Sequence, residues 1–111
     1  MSNEYSIVYS SEARNDIKEI YSYIAFELMA MDAATRQINR ITKAIRSLSF
    51  MPLRYPIVSY DPWKSMKMHK ALVDNFIVFY TVDDANMNVA IIRIVYGGRD
   101  IQSIASRTRN N

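Results

Sequence analysis

Residues 73–98, VDNFIVFYTVDDANMNVAIIRIVYGG, decide the fold. Residues 76–82 and 87–96 are dense in Val, Ile, Phe and Tyr, side chains that fit a pleated, half-buried surface. Asp74-Asn75 and the polar run at 83–86 are breaks of hairpin length. With residues 67–73, read as one more strand, they predict a meander of three antiparallel strands. Residues 6–9 at the start of the chain read as a fourth strand.

Upstream the chain changes character. Residues 1–51 hold neither Gly nor Pro, Pro52, Pro56 and Pro62 mark one irregular stretch, and the only glycines are the adjacent Gly97 and Gly98. The first half is therefore predicted to be mainly helical. Ile17, Ile20, Tyr21, Ile24 and Leu28 form one stripe of an amphipathic helix over residues 11–28, with Ser10 or Ser11 as its cap and Glu12 at its positive end. Asp32 is a plausible cap for a second helix, in which Ala34, Ile38, Ile41, Ile45 and Leu48 repeat at alternating spacings of four and three. So short a link makes the two helices antiparallel. Arg36, Arg40 and Lys43, flanked by Arg46, lie opposite that seam as a solvated basic face.

The order is thus β-α-α-β-β-β. A helix hairpin with one apolar side and a sheet with an uncovered face solve each other's burial problem, which predicts a two-layer α+β domain with a mainly antiparallel sheet. Its helix side is expected to consist of Ile17, Ile24, Ile38, Ile41, Ile45 and Leu48, met by alternate strand residues. At 111 residues one shared core is possible and two are not, so residues 1–111 are expected to form one domain, with about 105–111 as a loose tail.

Composition removes several function classes. The chain carries 14 Lys plus Arg against 11 Asp plus Glu, a net charge of +3 that is too modest to argue for nucleic acid by itself. With no Cys and one His, neither a thiol nucleophile nor a metal cluster is expected, and no cofactor is implied. The opening MSNEYSIVYS has no basic and apolar signal pattern, and the longest apolar run is far shorter than the roughly 20 residues of a membrane helix. A cytoplasmic protein is the expectation.

The element order, the helix text ARNDIKEIYSYIAFEL, and the strands NFIVFYTVDD and IIRIVYGGRDI together resemble the RelE/ParE superfamily of toxins from type II toxin-antitoxin systems. The run from Ile92 to Ile101 is similar to the ParE branch's strand ending in Gly, a basic residue, Arg, Asp and Ile, with Gly98 standing where that branch commonly has a second Arg. The resemblance implies one of two activities. RelE-like members cut messenger RNA on the ribosome, which requires groups that remove a proton, stabilise a phosphorane and protonate a leaving oxygen. That branch carries an Arg where this chain has Ile77, and often a Tyr or His just past the last strand, where Asp100 to Ala105 offer neither. Lys67, His69, Lys70 and Arg99 are what a nuclease site would have to use, with Lys67 and His69 on one strand face.

ParE-like members are described as inhibitors of DNA gyrase that trap the enzyme on cleaved DNA without chemistry of their own. The empty nuclease positions do not weaken that reading, which is preferred, with RNA or the ribosome as target only in the alternative; a small basic binding module without toxicity is the third possibility. The chain then need not be an enzyme. Arg93, Tyr96, Arg99 and Arg107 are the target-binding candidates, Arg99 first because a guanidinium can grip a carboxylate or phosphate at two points; a structural Arg99–Asp100 tie is the competing role.

The resemblance also implies a cognate antitoxin. Met29, Met31, Met51, Met66 and Met68 fall around loops and an edge strand, where adaptable apolar contact suits a partner. Four other features have plain structural readings: Gly97-Gly98 as a strand exit, Trp63 as a loop anchor on the core, Asp83-Asp84 as turn residues, and Asp16 and Glu19 as solvated helix charges.

Overall fold

The computed structural model describes residues 4–98 and 101–108, the side chains of Gln102 and Thr108 excepted. Strand β1 (Ser6–Tyr9) leads into helix α1 (Ser11–Ser22), where the Ser10 hydroxyl accepts from the Ala13 amide at 2.9 Å and donates to the Ile92 carbonyl at 2.8 Å. One serine thus caps the helix and fixes it to the sheet.

The expected helix over 11–28 does not continue as α-helix. Residues Tyr23–Glu27 form a π-turn, in which the Leu28 amide reaches back to the Tyr23 carbonyl at 3.0 Å. The extra residue in that turn displaces the apolar stripe, so Leu28 is 55% exposed although the spacing places it on the buried side. Met29, at φ 52°, then reverses the chain. Helix α2 (Met31–Ser47) starts at Ala30 with no side-chain cap, and Asp32 sits in its first turn, where its charge still meets the positive helix end.

Strands β2 (His69–Val73), β3 (Phe76–Asp83) and β4 (Asn88–Tyr96) form the expected antiparallel meander, and β1 joins it parallel to β4, giving the order β1-β4-β3-β2. β2 begins at His69 and not at 67, because Lys67 adopts φ 56° in a turn that strand geometry excludes. Asp74 takes φ 55° in the tight β2–β3 loop.

Both sheet faces are covered. On one, Ile41 and Ile45 of α2, Leu48 at its C-cap and Ala13 of α1 pack on Val78, Tyr80, Val89, Ile91 and Ile94, with Ile17 at the margin. Ile24 and Ile38, expected in that seam, are only half-buried. On the other face Trp63, Val58 and Met68 from the irregular stretch, together with Ile104 and Ala105, cover Phe79 and Val95. Those last residues belong to helix α3 (Ile101–Thr108), so residues 105–108, expected as loose tail, are helical and Ala105 is buried. The two-layer expectation thereby gains a partial third layer, and Trp63 is the loop anchor the sequence suggested, its ring 4.4 Å from that of Phe79.

Candidate functional site

The chemistry-bearing residues gather where α1 crosses β4. Phe79 pairs with Arg93 and Tyr80 with Ile91, which leaves Ile92 as an extra residue in β4. This bulge resets the side-chain alternation: Ile91 and Ile94 face the helices, while Ile92 and Val95 face the opposite cluster. It also turns Arg93 toward α1, where Nε and an Nη donate to the two Asp16 carboxylate oxygens at 2.8 and 3.0 Å. The Ile94 amide donates to the same carboxylate at 2.9 Å.

Asp16 is therefore not a solvated charge. Its side chain is 8% exposed and that of Arg93 is 18% exposed, and the pair ties α1 to the irregular point of the sheet. The Asp16 hydrogen bonds raise the Arg93 pKa, against a desolvation that lowers it, with Glu12 and Glu19 adding to the rise. Arg93, expected as a target-binding residue, spends most of its fork inside the protein and holds the site's shape. The helix spacing carried the missed signal, since Asp16 lies three residues after Ala13 and four before Ile20, on the buried stripe.

Two depressions flank this ion pair. A cleft of about 420 Å³ is lined by Ser10, Glu12, Met66, Arg93, Ile104 and Arg107, so Arg93 and Arg107 do converge. Arg107 donates to Ser103 Oγ at 3.1 Å, one turn back on α3. The second is a groove of about 700 Å³ between the α1–π-turn segment and the far end of β4, walled by Ile20, Tyr23, Ile24, Phe76, Ile94 and Tyr96, with Glu19 at its rim. Tyr96 is 53% exposed and meets Phe76 edge-on at 6.0 Å between ring centres. Gly97 and Gly98 make the turn at the strand exit, and a Cβ on Gly98 would lie 2.7 Å from the Tyr96 ring. Arg99 and Asp100 lie outside the described residues.

The residues suggested for a nuclease site do not converge. His69 is buried, its Nδ1 is 2.7 Å from the Tyr55 carbonyl, and its ring stacks on Tyr80 at 5.2 Å. The Tyr80 hydroxyl in turn donates to the Pro52 carbonyl at 2.6 Å, and burial pushes its pKa up. Lys67 is exposed in the turn, off the strand on which the spacing put it beside His69, and Lys70 is exposed on the strand face opposite His69.

The five methionines likewise fail to form one surface. Met29 and Met31 are exposed at the helix-hairpin tip, Met51 is exposed past the other end of α2, roughly 25 Å of helix away, and Met66 borders the arginine cleft. Met68, expected to contact a partner, is fully buried beside Trp63 and Phe79. Among the described residues no group of three or more His, Cys, Asp or Glu side chains is placed to hold a metal ion, and no helix is long and apolar enough to cross a membrane.

The helix hairpin on a four-stranded sheet resembles solved structures of ParDE and RelE toxin systems. The chromosomal ParDE toxin-antitoxin system from P. aeruginosa superposes with a TM-score of 0.70 at 17% identity, over 86% of this chain and 98% of that one. The toxin-antitoxin complex RelBE2 from Mycobacterium tuberculosis gives 0.63 at 19% identity, over 84% and 91% of the two chains. A free-state variant of the E. coli toxin RelE gives 0.62 at 12% identity, over 96% and 97%. No curated protein sequence matches. Residues 7–101 match the family model described as the ParE toxin of type II toxin-antitoxin systems, parDE, and the chain belongs to that family.

Proposed function

We propose that this toxin arrests growth by binding DNA gyrase and not by cutting RNA, and that a cognate antitoxin silences it. The observation that carries the reading is the position of His69. A general acid or base has to come within hydrogen-bond reach of the substrate. His69 is 5% exposed, bonded to the Tyr55 carbonyl and stacked on Tyr80, which is the environment of a packing residue. Ile77 stands where the nuclease branch has an Arg, and the family match favours the ParE side.

In this reading Arg107 and Tyr96, with Arg99, contact the target, and Arg93 positions them through its hold on Asp16. Glu12 beside Arg93 and Arg107 in one cleft offers a carboxylate and two guanidinium groups, residue types an RNA-cutting site uses, and this supports message cleavage as the second reading. The test is growth arrest by variants at matched soluble expression. His69→Asn, which keeps a donor for the Tyr55 carbonyl, is expected to leave toxicity intact, whereas Arg99→Ala and Arg107→Ala weaken it by removing charge-assisted contacts. Loss of toxicity in a folded His69→Asn protein, with cleaved messages in cells expressing the parent, refutes the proposal.

A further inference from the structure

We infer that the solvent face of α2, at Arg36, Lys43 and Arg46, lies on the phosphate backbone of the duplex DNA that gyrase holds; this rests on the gyrase reading above. The net charge of +3 conceals a strong segregation. Residues 33–73 carry eight Lys plus Arg against a single acid, Asp61, a charge of +7, whereas the rest of the chain sums to −4. A segment so one-sided creates a local field that the net charge does not report.

Helix α2 gathers half of those bases on one face. Ala34, Ile41 and Ile45 are buried, and Arg36, Arg40, Lys43 and Arg46 are exposed on the opposite side, along about 15 Å of helix. Asp74 holds Arg40. Arg36, Lys43 and Arg46 have no carboxylate partner among the described residues. The negative pole of α2 does not oppose an anion on this face, because Arg54 donates to the Phe50 and Met51 carbonyls and to Ser47 Oγ just past the helix end.

The chemistry of the face selects its occupant. No aromatic residue occurs between 33 and 47, so there is nothing on which single-stranded bases can stack. Lys and Arg alone suit phosphate oxygens and read no sequence. A duplex presents one phosphate per roughly 1.7 Å of its axis, so a rigid stripe of this length meets several at once. The placement fits as well. Glu12, Asp16 and Glu19 lie on the α1 side around Arg93, and the target-contact residues Tyr96 and Arg107 border that same side. α2 flanks the other side, where Gln37 and Arg40 reach Asp74 in the β2–β3 turn. Gyrase gripped beside β4 therefore leaves the basic face open to the DNA that it holds.

Affinity of the full-length chain for gyrase is measured with and without bound duplex DNA. Three proteins are compared: the parent, the triple variant Arg36→Gln, Lys43→Gln, Arg46→Gln, and the control Arg14→Gln, Lys18→Gln, Lys64→Gln, which removes the same charge from other exposed positions. Glutamine keeps the helix propensity of the residues it replaces. DNA is expected to tighten binding of the parent about tenfold, the ratio of an effective concentration near ~1 mM to a backbone-contact Kd near ~10⁻⁴ M. The α2 variant loses that gain and keeps its affinity for gyrase alone, while the control retains the gain. For the parent on duplex DNA alone, three phosphate contacts predict a slope of log affinity against log salt near about −2.7, hence about 40-fold weaker binding at ~200 mM than at ~50 mM salt. That slope decides the matter if the α2 variant does not fold. No gain from DNA in the parent, an equal loss in both variants, or a loss by the α2 variant of affinity for gyrase alone overturns the inference and leaves the gyrase reading standing. Tighter binding of a single-stranded message than of the duplex overturns it too. Failure of the parent to bind gyrase in either form removes that reading and this inference together.

Discussion

The Asp16–Arg93 tie gives the sharpest energetic expectation. Asp16→Ala deletes three charge-assisted hydrogen bonds, two of them from the guanidinium, and leaves both a guanidinium and the Ile94 amide without their acceptor. Breaking a buried ion pair from one side costs about 3 to 5 kcal/mol, and the 18% exposure of the Arg93 side chain, which lets water in, places this pair near the lower end. Arg93→Met is expected to cost a similar ~3 kcal/mol because it strands the carboxylate. The double variant Asp16→Leu with Arg93→Met removes both charges and retains apolar volume, so its remaining cost is the unpaired Ile94 amide, about 1 to 2 kcal/mol. The coupling between the two positions is thus about 4 to 5 kcal/mol. Urea unfolding of the four proteins measures it, and each single change should lower the melting temperature by roughly 12 °C. Single-variant costs below about 1 kcal/mol, the range of exposed pairs, would refute the account of the bulge as the point that anchors α1.

Four further outcomes are expected. Ile41→Ala should cost about 2 to 5 kcal/mol in urea unfolding, since Ile41 is fully buried between α2 and the sheet, and a cost under about 1 kcal/mol contradicts that placement. Met29→Gly should stabilise the protein by about 0.5 to 1 kcal/mol, because the left-handed backbone at φ 52° carries a side chain that is 87% exposed and packs little; a loss of stability in the same assay counts against strain at the helix turn. Tyr80 has a raised pKa, so the unfolded chain loses that proton first and stability falls as pH rises above the ordinary value of 10.0; Tyr80→Phe should flatten this alkaline loss, and an unchanged slope contradicts it. Asp74 is held below the usual carboxylate range by Arg40 and Gln37, so its contribution is present above that range and disappears as pH falls through the lowered value, a dependence that Asp74→Asn should abolish in acid titration of stability.

The elements that were legible in the sequence are those with a strong period. The strand meander could be read because Asp74-Asn75 and residues 83–86 interrupt runs of β-branched and aromatic side chains, and α2 because its apolar spacing is unbroken. Three features were harder. The π-turn leaves no mark in a stripe that stays apolar through Leu28, since the shift arises from backbone bonding around Tyr23. Helix α3 had a signal in Ile101, Ile104 and Ala105, at helical spacing, which the polar residues after them concealed. The second covered face was announced by Ile77, Phe79, Ile92 and Val95, because strands apolar on both sides need cover on both. At the site, residue type misled twice: a carboxylate was assigned to solvent although its spacing placed it inside, and a histidine among lysines looked accessible although the period of β2 sets it on the core face with Ala71 and Val73.

The central claim is that this toxin acts by binding and performs no RNA chemistry. The purified chain, added at one concentration series to a DNA gyrase supercoiling reaction and to ribosomes translating a labelled message, tests it most directly. Loss of supercoiling with an intact message is the result the account expects. Message cleavage at concentrations that leave supercoiling untouched would contradict it.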